Sequence, residues 1–278
     1  MQFGRSLRIN LVGLLKSTHP IPSFSVTVLV LLFGIGSSLP ISTLALVGIS
    51  VIAQQFSVGL SNDWLDYERD KQVGRRDKPA AIGEVPINAV RNSSLASAAI
   101  ALVVAGSLGW ATALLMILML MVGWSYNLGA KATGFSALPY VVGFGILPIY
   151  VTLSLDPPQV PTWWIVIAAS VLGLGAHFAN ALPDLLDDKR TGINALPHIL
   201  GQRGSAVIIA ISAVSASLLI VTQSTNLNAT WALVGFVATV GLSVIASYLA
   251  LQSRPPKLVF YLLIAASFVN VILLMLGQ

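Results

Sequence analysis

Asn62, Asp66 and Asp70 follow one another at intervals of four, and so do Asn180, Asp184 and Asp188. Residues four apart share a face of a helix, so each set forms a stripe of oxygen donors about two turns long. Carboxylates at that spacing repel one another and are costly beside hydrocarbon, so something positive is expected among them. Hard oxygen donors suit Mg²⁺, which takes one or two carboxylates and completes its shell with phosphate oxygens and water. Two facing stripes would hold a diphosphate through bridging magnesium. Basic residues follow both stripes: Arg75, Arg76 and Lys78 after the first, Lys189 and Arg190 after the second. A diphosphate departing as an anion needs positive charge aimed at its oxygens, which arginine or lysine beside the metal supplies. For one stripe alone, a solvated helix end whose acids pair with neighbouring bases explains the pattern equally well.

The second stripe weighs against that simpler explanation. Shifted by 118 residues, Asn62, Asp66, Asp70, Lys71, Gly74, Pro79 and Gly83 coincide with Asn180, Asp184, Asp188, Lys189, Gly192, Pro197 and Gly201. One ungapped register at the ends of two apolar runs predicts two related four-helix units, about 22–126 and 136–250, and a last helix at about 258–276. All belong to one transmembrane domain over 1–278. Repeats that bracket a shared site are a recurrent plan in membrane proteins. Asp187 shares the face of Asn180 and Asp184 nearly as well as Asp188 does; Asp188 is preferred because it coincides with Asp70.

The elements that must carry these stripes are membrane helices. With 56% hydrophobic residues, 9% charged residues and a mean hydropathy of +0.86, the chain has too little polar surface to coat a soluble globule. Nine apolar spans are predicted, at about 22–38, 41–61, 88–107, 109–126, 136–154, 162–183, 205–223, 229–250 and 258–276. All fifteen Lys and Arg residues stand before the first span or after the second, fourth, sixth and eighth. By the positive-inside rule the N-terminus is cytoplasmic and the C-terminus external, most simply in the plasma membrane. Trp163, Trp164 and Trp231 then fall where an aromatic belt marks the outer interface. The segment 1–16 has no long apolar run, so no removable signal peptide is expected. The net charge of +5 reflects this topology and anionic lipid, and gives no reason to expect nucleic-acid binding. Cysteine is absent, which excludes thiol chemistry.

At the stripes the chain resembles the UbiA superfamily of intramembrane prenyltransferases. The family's first motif stands here as Asn62-Asp63-Trp64-Leu65-Asp66-Tyr67-Glu68-Arg69-Asp70, followed by a basic loop with Gly74-Arg75-Arg76-Asp77-Lys78-Pro79 and Gly83. The second is matched by Asp184 and Asp188, and a Tyr and Lys pair after the fourth helix by Tyr126 and Lys131. The resemblance implies an all-α fold of nine transmembrane helices around a central cavity, capped by the loops 71–87 and 189–204. It implies Mg²⁺ held by Asn62, Asp66, Asp70, Asp184 and Asp188, with Asp63 and Asp187 as outer or alternative ligands. Arg75, Lys78, Lys131 and Lys189 would contact an isoprenoid diphosphate, and Tyr126 would stabilise a cation or hold a phosphate oxygen. The allylic carbon–oxygen bond would ionise and an electron-rich acceptor would attack.

The acceptor is not legible. Where branches acting on aromatic carboxylates carry a basic residue near the first helix, this chain reads Lys16-Ser17-Thr18-His19-Pro20. His177 is a candidate base, although a lone His in a span is more often a hydrogen-bonded packing residue. Trp64, Tyr67, Trp124 and Phe178 flank the site as candidate lining. Cyclisation of the prenyl diphosphate, phosphoribosyl transfer to a prenyl phosphate, and transport remain open as alternatives to prenyl transfer.

Overall fold

The computed structural model describes residues 10–185 and 194–277. Every regular element among them is helical: α1 (Leu11–Lys16), α2 (Pro20–Gly36), α3 (Ile41–Leu65), α4 (Tyr67–Gln72), α5 (Ile87–Leu108), α6 (Trp110–Leu128), α7 (Leu138–Leu153), α8 (Trp163–Ala181), α9 (Leu196–Gln223), α10 (Ala229–Ala250) and α11 (Leu258–Leu276). Single 3₁₀ turns follow α6 at Ala130–Ala132 and α8 at Leu182–Asp184. Seven helices (α3, α5, α6, α8, α9, α10 and α11) are long and apolar enough to cross a bilayer, which makes this an integral membrane protein. The other two expected spans are the shorter apolar helices α2, of 17 residues, and α7, of 16.

Six helices close a ring, each packed on the next: α2, α3, α6, α7, α8, α11 and back to α2. α5 backs α3 and α6 from outside, while α9 and α10 back α8 and α11. Apolar side chains left on the outer surface, such as Val103 on α5, Leu114 on α6 and Leu233 on α10, face the position of lipid. The methionines of α6 divide accordingly, with Met116 and Met119 buried and Met121 exposed. Trp110, Trp163 and Trp231 lie in the first turns of α6, α8 and α10, at the end of the bundle opposite the acidic stripes.

Small residues bring the ring helices close enough to position side chains, as expected where no hydrophobic force drives helices together in lipid. A methyl on Gly173 of α8 would fall 2.5 Å from the Tyr140 carbonyl oxygen and 2.8 Å from the Phe144 Cβ, so glycine here admits α7. Gly59 of α3 does the same for the turn between α1 and α2, since its Cβ would stand 2.4 Å from the Thr18 carbonyl oxygen. That approach carries His19, in the left-handed conformation at φ 52°, to the end of α3. Gly59→Ala should therefore cost about 1–3 kcal/mol, the usual penalty of forced overpacking, seen as a lower melting temperature in detergent. An unchanged melting temperature would show that the turn is loosely held.

The stripes depart from simple helix. α3 ends at Leu65 and α4 begins at Tyr67, but Asp66 N–H donates to the Asn62 carbonyl (3.0 Å) and Asp70 N–H to the Asp66 carbonyl (2.8 Å), which keeps the three residues aligned. In the second stripe α8 stops at Ala181 and Pro183 enters a tighter 3₁₀ turn, so Asp184 is not in α-helical register with Asn180. In the second loop a short helical segment from Leu196 precedes a kink at Gly201, which has a φ of 68°.

Candidate active site

A cavity of about 580 Å³ opens at the stripe end of the ring, lined by the first stripe, the bases of its loop, and residues of α6, α7, α8 and α11. Asn62, Asp63, Asp66 and Asp70 all border it, with Arg75, Lys78, Tyr126 and Lys131. Asn180 and Pro183 approach from α8 and its 3₁₀ turn. Asp187, Asp188 and Lys189 lie outside the described residues, as does the side chain of Asp184.

The cavity wall is electrostatically paired. Lys131 donates to both oxygens of Asp66, at 2.6 and 2.5 Å, and Arg69 bridges Asp66 (3.0 Å) and Asp70 (3.5 Å). Burial lowers the Lys131 pKa, opposed by the neighbouring Asp66, and raises that of Asp70, opposed chiefly by Lys78. Arg75 grips Asp77 through two bonds of 2.8 and 2.9 Å, which hold the Asp77 carboxyl well below the usual carboxylate range.

Asp63 is held from the side of the first loop. It is 2% exposed, and one of its oxygens lies 2.5 Å from Lys78 Nζ and 2.9 Å from His19 Nε2. Lys78 Nζ also donates to Asn62 Oδ1 at 3.1 Å, so Asp63 fixes the amine beside the first stripe. Asn62 is oriented from behind by Asn127 of α6, whose Oδ1 accepts from Asn62 Nδ2 at 3.2 Å. Asn127 Nδ2 in turn donates to Ser61 Oγ and the Val58 carbonyl.

Across the cavity the wall is aromatic. Tyr126 and Tyr140 meet edge to face at 5.3 Å, Tyr140 stacks on Phe144 at 6.4 Å, and Asn180 Nδ2 donates to the Tyr140 hydroxyl at 3.3 Å. His177 is buried against these rings and borders the cavity, with Nε2 2.9 Å from Ser136 Oγ, which also accepts the Leu196 N–H at 3.0 Å. Ser136, just before α7, thereby ties α8 to the start of α9.

The expected lining aromatics are corrected. Trp64 and Trp124 pair with each other at 6.0 Å, Phe178 is fully buried in the core, and Tyr67 packs beside Lys71; none of the four borders the cavity. Tyr140 and Phe144 take that place, and they carried no sequence signal beyond being aromatic in an apolar span. Arg69, Asn127 and Ser136 also escaped the sequence reading. Arg69 alone had a usable signal, standing three residues after Asp66 and next to Asp70.

The donor set suits a hard divalent cation. Asn62 Oδ1 and the Asp66 and Asp70 carboxylates lie on one wall, each held by a lysine or arginine that a cation and its phosphate could relieve. Among the described residues no three His, Asp or Glu side chains form a closed cage, so a metal here would need ligands from beyond the first stripe.

Comparison with curated proteins finds no match. The chain resembles the apo structure of a UbiA homolog from Aeropyrum pernix K1 at a TM-score of 0.71, with 20% identity over 88% of this chain and 94% of that one. It resembles a UbiA homolog from Archaeoglobus fulgidus bound to GPP and Mg²⁺ at 0.70, with 15% identity over 95% and 98%. A digeranylgeranylglyceryl phosphate synthase structure matches at 0.64, with 14% identity over 96% of both chains. The model of the UbiA prenyltransferase family matches residues 23–272, and the chain belongs to that family of prenyltransferases.

Proposed function

We propose that this protein transfers a prenyl group from an isoprenoid diphosphate to an aromatic or lipid acceptor, with Mg²⁺, at the cytoplasmic face of a membrane. One observation carries the reading: the first stripe, six Lys and Arg side chains and an aromatic wall border a single cavity that continues toward the apolar interior of the bundle. The relatives solved with GPP or DMAPP and Mg²⁺ share the fold and support it.

In this reading Asn62, Asp66, Asp70, Asp184 and Asp188 hold Mg²⁺, and Asp187 stands beside them. Bound magnesium would neutralise diphosphate oxygens and make the group a better leaving anion. Lys78, Lys131, Arg75 and Lys189 bind the remaining oxygens. The allylic carbon–oxygen bond breaks with its electron pair leaving on diphosphate. The faces of Tyr126 and Tyr140 stabilise the positive carbon, and an electron-rich atom of the acceptor forms the new bond and sheds its proton. Asp63 acts through Lys78.

The orientation follows from charge. All fifteen Lys and Arg residues stand before the first span or after the second, fourth, sixth and eighth, and those among the described residues lie on the stripe side, which by the positive-inside rule supports a cytoplasmic assignment for that end. Nine crossings follow if α2 and α7 are counted. α2 follows His19, bonded to Asp63 at the stripe end, and leads into the far end of α3. α7 starts beside the cavity at Pro139 and leads to Trp163 at the far end. The internal repeat is supported by Gly83 and Gly201, which coincide in the 118-residue register and both take a positive φ, 79° and 68°.

The test is incubation of purified protein with labelled farnesyl or geranylgeranyl diphosphate, Mg²⁺ and a membrane-lipid extract. Diphosphate release that EDTA abolishes, with a labelled lipid-soluble adduct, is the expected result. Release with only a hydrocarbon or alcohol product would favour cyclisation, and no release from any donor would overturn the reading.

A further inference from the structure

On its α3 side the cavity holds two neutral amides, Gln54 and Gln55, inside the span of that helix. Gln55 precedes Asn62 by seven residues of one unbroken helix, so the two share a face, with Gln55 roughly 10 Å deeper in the bundle. Gln54 is buried and held between helices: its Nε2 reaches the Met119 carbonyl of α6 at 3.5 Å, and its Oε1 accepts from Gln55 Nε2 at 2.8 Å. These bonds leave Gln55 half-buried at the cavity, with its Oε1 without a hydrogen-bond partner among the described residues. Val26, Leu29 and Met119 border the same cavity, and an open carbonyl oxygen among such groups costs free energy until a donor meets it.

We propose that Gln55 selects the acceptor, by accepting a hydrogen bond from a neutral O–H or N–H group of that molecule. The proposal rests on the prenyl-transfer reading above. The isoprenoid donor has nothing to offer Gln55: its chain carries no hydrogen-bond donor, and its diphosphate presents only acceptor oxygens and is held at the first stripe. The partner of Gln55 therefore belongs to the second substrate. Sign restricts that substrate further. A carboxylate or phosphate would bring lone pairs against those of Gln55 Oε1 and lose its water, while the bases of the lining, such as Lys16, Lys78 and Lys131, are gathered at the stripe end. A neutral hydroxyl meets neither obstacle. Gln54 sets the direction, because holding Gln55 Nε2 keeps Oε1 as the atom presented to the ligand. An amide takes no proton, so Gln55 orients the acceptor without activating it. The acceptor atom that forms the new bond is a different one, nearer the stripe where the allylic carbon is released.

The experiment follows adduct formation from labelled farnesyl or geranylgeranyl diphosphate and a membrane-lipid extract, in competition with naphthol, its methyl ether and naphthoate, in wild type and Gln55→Leu. In wild type, naphthol, the one neutral hydroxyl donor of the three, should inhibit at least about tenfold more strongly than either of the others. In Gln55→Leu that advantage should fall below about threefold, and the extract concentration giving half-maximal adduct should rise at least about tenfold, while KM for the labelled donor changes less than about threefold. Adduct formation with equal inhibition by all three compounds, or with none by any, would overturn the assignment and leave prenyl transfer standing, as would a naphthol advantage that survives in Gln55→Leu. Strongest inhibition by naphthoate would also overturn it and move acceptor recognition to the bases at the stripe end. Absence of any adduct from wild type would overturn both readings. If Gln55→Leu does not fold, Gln55→Met, of nearly the same length, takes its place.

Discussion

Asp66→Ala is expected to reduce Mg²⁺-dependent diphosphate release by at least about a hundredfold, the scale of losing one preorganised electrostatic contact at a reacting centre, while the protein remains folded in detergent. Asp66 is the hub of the cavity wall. Its two oxygens accept from Lys131, and Arg69 joins it to Asp70, so it is the carboxylate with two cations already aimed at it. In the proposed reading Asp66 would hold Mg²⁺ and Lys131 would bind diphosphate oxygens in the same cavity. Removing Asp66 would delete that metal contact and leave Lys131 and Arg69 facing each other's charge. Both border an open cavity and can move toward water, so the folding penalty should stay well below the roughly 3–5 kcal/mol of an uncompensated buried charge. The check is radiochemical diphosphate release over a Mg²⁺ titration, beside a melting curve. Full activity in Asp66→Ala would remove the first stripe from the chemistry.

Much of this site was readable from residue types and spacing, and the limits of that reading are physical. The intervals of four placed Asn62, Asp66 and Asp70 on one face, and backbone bonds across the break at Asp66 keep them there. Charge placement separated the stripe end from the tryptophan end, and the tryptophans of α6, α8 and α10 lie where that separation requires. The aromatic wall could not be picked out from the candidates because these helices are apolar all round. An amphipathic helix announces its inner face, whereas one wrapped by lipid and protein alike does not. Trp64, Trp124 and Phe178 were therefore indistinguishable in the sequence from Tyr140 and Phe144. Long-range contacts were hidden for a related reason. His19 meets Asp63 only because Gly59 lets a turn 40 residues away press on α3, and Asn127 meets Asn62 only because α6 packs beside α3. The second stripe was read as continuous helix because spacing does not report the 3₁₀ turn that Pro183 enters.

Lys78→Met and Asp63→Asn should separate what the buried pair does for folding from what it does for catalysis. Lys78 is 8% exposed and holds Asp63, itself 2% exposed, at 2.5 Å; the second Asp63 oxygen has no hydrogen-bond partner among the described residues. Removing the amine leaves a buried carboxylate with only His19, and breaking such a pair from one side costs about 3–5 kcal/mol. Adding Asp63→Asn removes the orphaned charge and should return most of that stability, since both partners of the ion pair are then neutral. Activity should behave differently. Lys78 Nζ borders the cavity beside Asn62 Oδ1, where it would meet diphosphate, so the double variant should remain at least tenfold impaired in kcat/KM although its melting temperature recovers. Asp63→Asn alone, with the lysine kept, should be the mildest of the three in activity, because the neutral amide still accepts the Lys78 hydrogen bond. Recovery of activity together with stability in the double variant would mean that Lys78 serves only as the counter-ion of Asp63. A severe loss in Asp63→Asn with normal stability would mean that the carboxylate itself takes part in the reaction.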